Sequence, residues 1–220
     1  NPEFSRLLKL TDKEIDQLPL SKYWEKQNIK IPAKNKTGWV EWECKPTHGD
    51  NALLLKDIMV LRIIDKMAWE FPIYFAGTIH SKSFLGLNDY LPLEGMVYQL
   101  TDKNTQRINP IKIRENLNKY TFDTINKPLS NIFMGHLLKN YHTYYINLAH
   151  EYYSEFARLE KQNGKKDIIE SKRQKVEETL DEMFSIIPIE KLPYNPELNT
   201  YIMVSRMYEG IGKKKKSISL

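Results

Sequence analysis

Hydrophobic and polar residues alternate along one short segment of the chain, residues 39–44, which reads Trp-Val-Glu-Trp-Glu-Cys. Val40, Trp42 and Cys44 fall on one face of an extended backbone, and the two glutamates fall on the other face. The pattern predicts a β-strand whose apolar face is buried in a core.

A long apolar helix and a second strand are predicted after this strand. Asn51 is a favourable N-cap residue, and residues 52–69 are apolar over most of a helical circumference. Residues 71–79 are largely apolar, and Pro72 suits the start of a strand. Strand, helix and strand at this spacing predict a βαβ crossover with two parallel strands in one small sheet. Residues 96–100 predict a third short strand.

Two weaker elements are predicted before the first strand. Thr11 and Glu14 have the spacing of a capping box, and Pro19 ends the short helix that would follow them. Residues 21–36 are mostly polar and include Pro32, so we predict a connecting stretch there.

Only helical periodicity remains in the second half of the chain. It predicts helices over residues 131–159, 166–187 and 196–209, with a helix–helix turn at residues 161–165. Small and aromatic residues are followed by an apolar stripe that ends at Pro188, and this alternation resembles tetratricopeptide helices.

These elements predict a mixed fold with α/β and α+β character, in which a small parallel, βαβ-containing sheet is followed by an α-helical, tetratricopeptide-like tail. We place the small α/β domain at residues 5–110, the helical region at 111–212 and a basic flexible tail at 213–220. Residues 1–4 are expected to be a vector remnant and are left outside the first domain.

Composition narrows the class of protein. Hydrophobic residues make up 41% of the 220 residues and charged residues 28%, which favours a folded core over a disordered chain. The 33 Lys and Arg residues against 28 Asp and Glu give a formal charge of +5, too small a surplus to indicate nucleic-acid binding. No apolar run reaches the roughly 18 residues that cross a bilayer, so we expect a soluble chain.

The sequence indicates no catalytic residue, no metal site and no cofactor. Cys44 is the single cysteine, which excludes an internal disulfide, and on a buried strand face it acts as a small hydrophobe. Nucleophile-elbow, phosphate-loop and dinucleotide motifs do not occur. The histidines also lack the spacing of a zinc motif; they are His48, His80, His136, His142 and His150.

One loop after the second predicted strand carries candidate binding residues. Asp89, Tyr90 and Glu94 lie there, and loops at the carboxyl ends of parallel strands are where α/β folds bind ligands. We therefore predict these three residues as a ligand-binding or acceptor-binding site. The competing hypothesis is a structural loop that is capped by an acidic residue.

Four consecutive lysines lie near the end of the sequence: Lys213, Lys214, Lys215 and Lys216. One interpretation is a flexible, solvated tail. The other is electrostatic contact with an anionic membrane surface.

Three stretches together resemble a known family. They are residues 8–15, residues 53–79, and residues 85–100 with their Leu-Gly-Leu-Asn-Asp-Tyr-Leu-Pro-Leu-Glu-Gly start. They are similar to the C-terminal half of the multi-spanning membrane proteins called domain of unknown function 2723, also grouped as glycosyltransferase family 117. Phe71 stands where that family has a basic residue before Pro-Ile-Tyr-Phe, and an additional asparagine precedes the aspartate of the Gly-Leu-Asp-x-Tyr motif.

The resemblance implies a parent enzyme that moves a sugar such as mannose from a polyprenyl-linked donor to a protein hydroxyl outside the cytoplasmic membrane. Such enzymes carry their catalytic acidic residue between early membrane helices. This chain would then be a non-catalytic, extracytoplasmic (periplasmic) C-terminal domain with an accessory or acceptor-docking role. Its expected partners are the membrane-embedded part of the same protein and acceptor proteins. The alternative hypothesis is an independent tetratricopeptide-like module for protein–protein interaction.

Overall fold

A computed structural model of the chain describes residues 21–122, except residues 24 and 50, together with residues 132–188 and 198–218. The helix predicted after Thr11 lies outside these residues. Contacts between residues divide the chain into two compact units. The first contains the described residues up to Pro92 and Val97–Arg107, and the second contains Leu93–Met96 and the described residues from Ile108 onward.

The first unit is built around an antiparallel hairpin. Strand β2 (Gln27–Pro32) pairs with β3 (Trp39–Cys44), so that Ile31 lies opposite Val40. The strand predicted over residues 39–44 is confirmed, and its apolar face is buried as expected. The connecting stretch predicted over residues 21–36 is wrong, because β2 lies within it.

Two further antiparallel pairs complete the strands of this unit. Strand β1 (Ser21–Tyr23) pairs with β4 (Ala52–Leu54), and β5 (Tyr74–Ala76) pairs with β6 (Val97–Gln99). The predicted third strand is confirmed as β6. The predicted parallel βαβ sheet is wrong, because β3 pairs with its sequence neighbour β2 and β5 pairs with β6. The fold is therefore a mixed α+β arrangement of small antiparallel sheets and helices.

Helix α1 (Leu55–Met67) begins later than the sequence predicts, because residues 52–54 belong to β4. Asp57, rather than Asn51, organises its first turn. The Asp57 carboxylate accepts hydrogen bonds from the backbone N–H of Leu54, at 3.3 Å, and from the Thr47 hydroxyl. Asp57 is 3% exposed, and these bonds satisfy the buried carboxylate while they fix the start of the helix.

Apolar side chains from the hairpin, α1 and the later turns form the core of the first unit. Two tryptophans add directional bonds, since the Trp42 indole N–H donates to the Leu85 carbonyl at 3.0 Å and that of Trp69 donates to the Pro32 carbonyl at 2.6 Å. The buried members of this core are Ile31, Val40, Trp42, Cys44, Leu53, Ile64, Phe75, Phe84, Leu85, Leu87, Leu91 and Leu100.

The second unit consists of helices. They are α2 (Pro110–Leu117), α3 (Ile132–Lys161), α4 (Lys166–Ile186), α5 (Leu198–Gly210) and α6 (Lys214–Ile218). The three helices predicted in this part of the chain are confirmed to within two residues at the described ends. Their tetratricopeptide-like arrangement stays a prediction.

A polar cluster joins α2, α3 and α4. Arg114 forms an ion pair with Glu182 and donates to the Thr179 hydroxyl at 2.7 Å, while the Tyr145 hydroxyl donates to Glu182 at 3.0 Å. Burial raises the pKa of Tyr145, so its hydroxyl stays protonated and keeps donating. Each polar group of the cluster has a partner, as buried polar groups require.

The lysine run lies at the start of α6. Lys216 contacts Glu177 at 2.8 Å and Asp181 at 2.6 Å, and Lys213 contacts Glu177 at 2.9 Å. These contacts lower the pKa of Glu177. Lys214 and Lys215 are exposed.

We expect the Cys44 thiol to be unreactive in the folded protein. Burial raises its pKa to about 11, so only about one thiol in a thousand is ionised at pH 8, and the side chain is fully buried. A disulfide reagent such as Ellman's reagent should modify Cys44 at least ~100-fold more slowly in the native protein than in denaturant. A Ser171→Cys variant, at an exposed position on α4, should gain one rapidly reacting thiol. Equal rates for both thiols would contradict the buried position.

We expect His142 to make the stability of the protein depend on pH between about 7 and 5. The side chain is 5% exposed and bonds the Ile187 carbonyl oxygen through Nε2 at 2.8 Å, and burial lowers its pKa below the ordinary 6.5. Because the unfolded chain takes up a proton near pH 6.5 and the folded chain does not, the free energy of unfolding falls as pH drops below 6.5 towards the folded pKa.

Urea unfolding at a series of pH values measures this effect. The His142→Gln variant should lose most of the slope between pH 7 and 5, whatever its stability at neutral pH. The His150→Gln variant changes an exposed histidine on the same helix and should keep the slope. A slope that survives in His142→Gln would contradict the assignment.

Candidate functional site

Two 3₁₀ turns, Ser81–Phe84 and Leu87–Tyr90, present Asp89 and Tyr90, two of the three residues that the sequence singled out. The His80 side chain starts the first turn by accepting from the backbone N–H of Lys82 at 3.1 Å. Between the turns, Leu85 and Gly86 both adopt left-handed backbone angles, with φ of 56° and 90°. The chain therefore changes direction sharply.

Burial alternates along this segment. Leu85, Leu87 and Leu91 are buried in the core, whereas Asn88 and Asp89 are exposed. The leucines hold the segment in place because their burial is favourable, and the polar pair is left at the surface.

The backbone at Gly86 approaches β3 very closely. A Cβ atom at this position would lie 2.0 Å from the Glu43 carbonyl oxygen, and the neighbouring Leu85 carbonyl accepts the Trp42 indole bond. Only glycine combines this φ with this approach. The turn is thereby fixed against the strand.

The predicted residues Asp89 and Tyr90 are held by backbone bonds. The Tyr90 hydroxyl donates to the Glu41 carbonyl at 3.1 Å, and the Tyr90 carbonyl accepts from the backbone N–H of Thr101 at 2.9 Å. The Asp89 carbonyl accepts from the backbone N–H of Thr105 at 3.0 Å. These bonds fix the backbone while the Asp89 carboxylate stays exposed to solvent.

One opening, the strand-side groove, has a volume of about 670 Å³ and lies beside β3. Acidic, basic and amide side chains line it together with Tyr90. Its lining residues are Glu41, Trp42, Glu43, Lys45, Pro46, Thr47, Ser81, Lys82, Leu85, Gly86, Asn88, Asp89, Tyr90 and Asn104.

A second opening, the Tyr98 cleft, has a volume of about 430 Å³. It combines apolar side chains with five polar ones, and it shares Ser81, Asn88 and Asp89 with the strand-side groove. Its lining residues are Ile79, Ser81, Phe84, Asn88, Asp89, Leu91, Tyr98, Thr105 and Arg107.

Glu94 has a different environment from the other two predicted residues. It belongs to the second unit, where Asn109 donates to its carboxylate at 3.3 Å and Asn116 donates to its backbone carbonyl at 2.5 Å. Burial raises its pKa. Asp89 and Tyr90 line the strand-side groove of the first unit, and Glu94 does not line that groove.

The described residues offer little support for metal chemistry. No group of three or more His, Cys, Asp or Glu side chains among them is placed to hold a metal ion. His142 is buried in the second unit and His150 is exposed, while the side chain of His136 is not among those that the structure describes.

Among the described helices, none is both long and apolar enough to cross a bilayer.

Sequence reasoning missed Ser81, Thr105 and Arg107, which line the Tyr98 cleft. They come from different segments of the chain and share no spacing that a motif search detects. Gly86 was the one local signal, because a glycine between two buried leucines marks a turn with special backbone geometry.

We expect Gly86→Ala to destabilise the protein by roughly 2–4 kcal/mol, because the new Cβ meets the Glu43 carbonyl and φ is left-handed. The matched control is Gly38→Ala, where an added Cβ meets nothing within 4 Å and stability should change by less than about 0.5 kcal/mol. Chemical denaturation measures both variants. A small, equal change in the two would contradict the close packing at Gly86.

Comparison with known proteins gives one match. Residues 17–121, just under half of the chain, match the family described as TMEM260-associated domain 2. No curated protein and no solved structure was found to match the chain. The matched segment contains both 3₁₀ turns, the strand-side groove and the Tyr98 cleft.

Proposed function

We propose that this chain is an extracytoplasmic accessory domain of a multi-spanning membrane glycosyltransferase, and that it docks acceptor polypeptides without catalysing sugar transfer. Two similarities support the proposal. One is the match of residues 17–121 to a domain whose description ties it to TMEM260. The other is the resemblance of residues 53–79 and 85–100, inside that match, to glycosyltransferase family 117.

The strand-side groove is the observation that carries the docking role. Its polar lining contains both acids and bases, including Glu41, Lys45 and Asp89, and the amide of Asn104. An extended polypeptide presents alternating N–H donors and C=O acceptors, which such a lining pairs with. The backbone bonds of Tyr90 and the contact at Gly86 hold the lining before an acceptor arrives, and a preformed site reduces the entropy lost on binding.

The non-catalytic role fits the chemistry of this site. Tyr90 donates its hydroxyl to a backbone carbonyl, and Asp89 is an exposed carboxylate that faces open clefts. Transfer of a sugar to a hydroxyl uses a carboxylate whose pKa is tuned by its surroundings, in a site closed to water so that the donor is not hydrolysed. In this proposal the membrane-embedded partner supplies that environment, and the chain supplies the acceptor.

Site-specific crosslinking tests the docking role in the full-length membrane protein. A photoreactive benzoyl-phenylalanine at position 104 lies in the groove, and the same residue at the exposed position 119 serves as the control. After irradiation in native membranes, we expect the position-104 probe to form adducts with polypeptides that are also found with O-linked hexose in the same membranes. Mass spectrometry identifies the polypeptides in the adducts and their glycosylated forms outside them.

Two results would contradict the docking role. One is the same set of adducts from positions 104 and 119, which would mean random contact. The other is position-104 adducts with polypeptides that are not found O-glycosylated anywhere in the same membranes. Asn104 lines the strand-side groove and does not line the Tyr98 cleft, so the probe reports on the groove itself.

A further inference from the structure

We propose that the Tyr98 cleft binds a neutral polyhydroxylated ring, a hexose-type pyranose. The cleft adjoins the strand-side groove and shares Ser81, Asn88 and Asp89 with it, whereas Thr105 and Arg107 line the cleft and do not line the groove.

Two opposite charges line the cleft without neutralising each other. Within the described part of the chain, the Asp89 carboxylate and the Arg107 guanidinium take part in no ion pair and no side-chain hydrogen bond. A ligand that offers both donors and acceptors satisfies the two groups at once. Vicinal hydroxyl groups do this, since each hydroxyl donates one hydrogen bond and accepts others.

Thr105 adds a polar atom that the fold does not use. Its hydroxyl oxygen is buried and has no hydrogen-bond partner among the described residues. Buried polar atoms without partners are rare in folded proteins, so this one calls for a physical reason. A ligand hydroxyl seated at the cleft wall provides it, with a small adjustment of that wall.

The apolar part of the cleft matches the C–H faces of a pyranose ring. The rings of Phe84 and Tyr98 pack edge to face with centroids 4.8 Å apart, and Ile79 and Leu91 lie beside them. A pyranose presents C–H groups on its faces and hydroxyls on its rim, so it packs against an apolar wall while its rim bonds polar groups. The volume of about 430 Å³ lies within the usual range of small-molecule sites.

The charge balance of the cleft disfavours an ionic ligand. One acid and one base line it, so an anion would lie near Asp89 and a cation near Arg107. A neutral ligand avoids both repulsions.

Ligand-observed NMR on the full chain tests the proposal. The probes are the methyl α-glycosides of mannose, glucose and galactose, each at about 20 mM, so that a site with a dissociation constant of about 1 mM is mostly occupied. We expect saturation transfer to at least one glycoside, with the strongest signals from its ring C–H protons. Asp89→Ala and Arg107→Gln should each weaken binding about tenfold or more.

Thr105→Val separates a ligand role from a structural one. The two side chains have the same shape, and the variant removes only the unpartnered hydroxyl, so its midpoint of unfolding should be unchanged or higher while glycoside binding is weakened. Lys103→Ala, at an exposed position two residues before Thr105 that does not line the cleft, should bind like the unmodified chain.

Either of two results overturns the proposal. One is no saturation transfer from the protein to any of the three glycosides. The other is binding that Asp89→Ala, Arg107→Gln and Thr105→Val leave unchanged. Crosslinking at position 104 is independent of both results, so failure of the hexose site is distinguishable from failure of acceptor docking.

Discussion

The Gly86 backbone lies against the Glu43 carbonyl so closely that no side chain fits between them. This contact sets the distance between β3 and the two 3₁₀ turns. The hydrogen bond from the Trp42 indole N–H to the Leu85 carbonyl sets the orientation of the turns relative to β3. Burial of Leu85 and Leu87 supplies the favourable free energy that offsets the left-handed backbone of Leu85, whereas Gly86 adopts its left-handed angles without steric strain. The strand-side groove and the Tyr98 cleft both border these turns, so their shape depends on that one packing contact.

The sequence was informative about which residues are buried and much less so about which strands pair. Alternation identified Val40, Trp42 and Cys44 as core residues, and all three are. However, alternation does not indicate which strand pairs with residues 39–44, since either edge of that strand could accept a partner. The connection of residues 33–38 is short enough to form a local hairpin, and closing a short loop costs less entropy than a crossover through α1. A parallel pairing was therefore the wrong inference from a correct strand.

The sequence predicted only those residues of the candidate site that lie together on one segment of the chain. Asp89 and Tyr90 lie on a turn that follows directly from local sequence, and the structure places both at the strand-side groove. Glu94 is only a few residues further along, yet it is a buried carboxylate of the second unit. Two residues that are close in sequence can therefore belong to different compact units, and the sequence alone does not indicate where one unit ends. Thr105 and Arg107 could not be predicted at all, because they reach the Tyr98 cleft through the tertiary fold and carry no motif of their own.

The lysine run shows how structure changes the weight of a charge argument. As sequence, the run offers four cations to an anionic membrane surface, each worth about 1 kcal/mol close to that surface. In the structure, Lys213 and Lys216 are matched by Glu177, and Lys216 also by Asp181, so the attraction of these two is largely cancelled. Lys214 and Lys215 are left exposed, and together they contribute about 2 kcal/mol, which salt screens further. An attraction of that size orients a domain that is already held near a bilayer, but it does not hold one there.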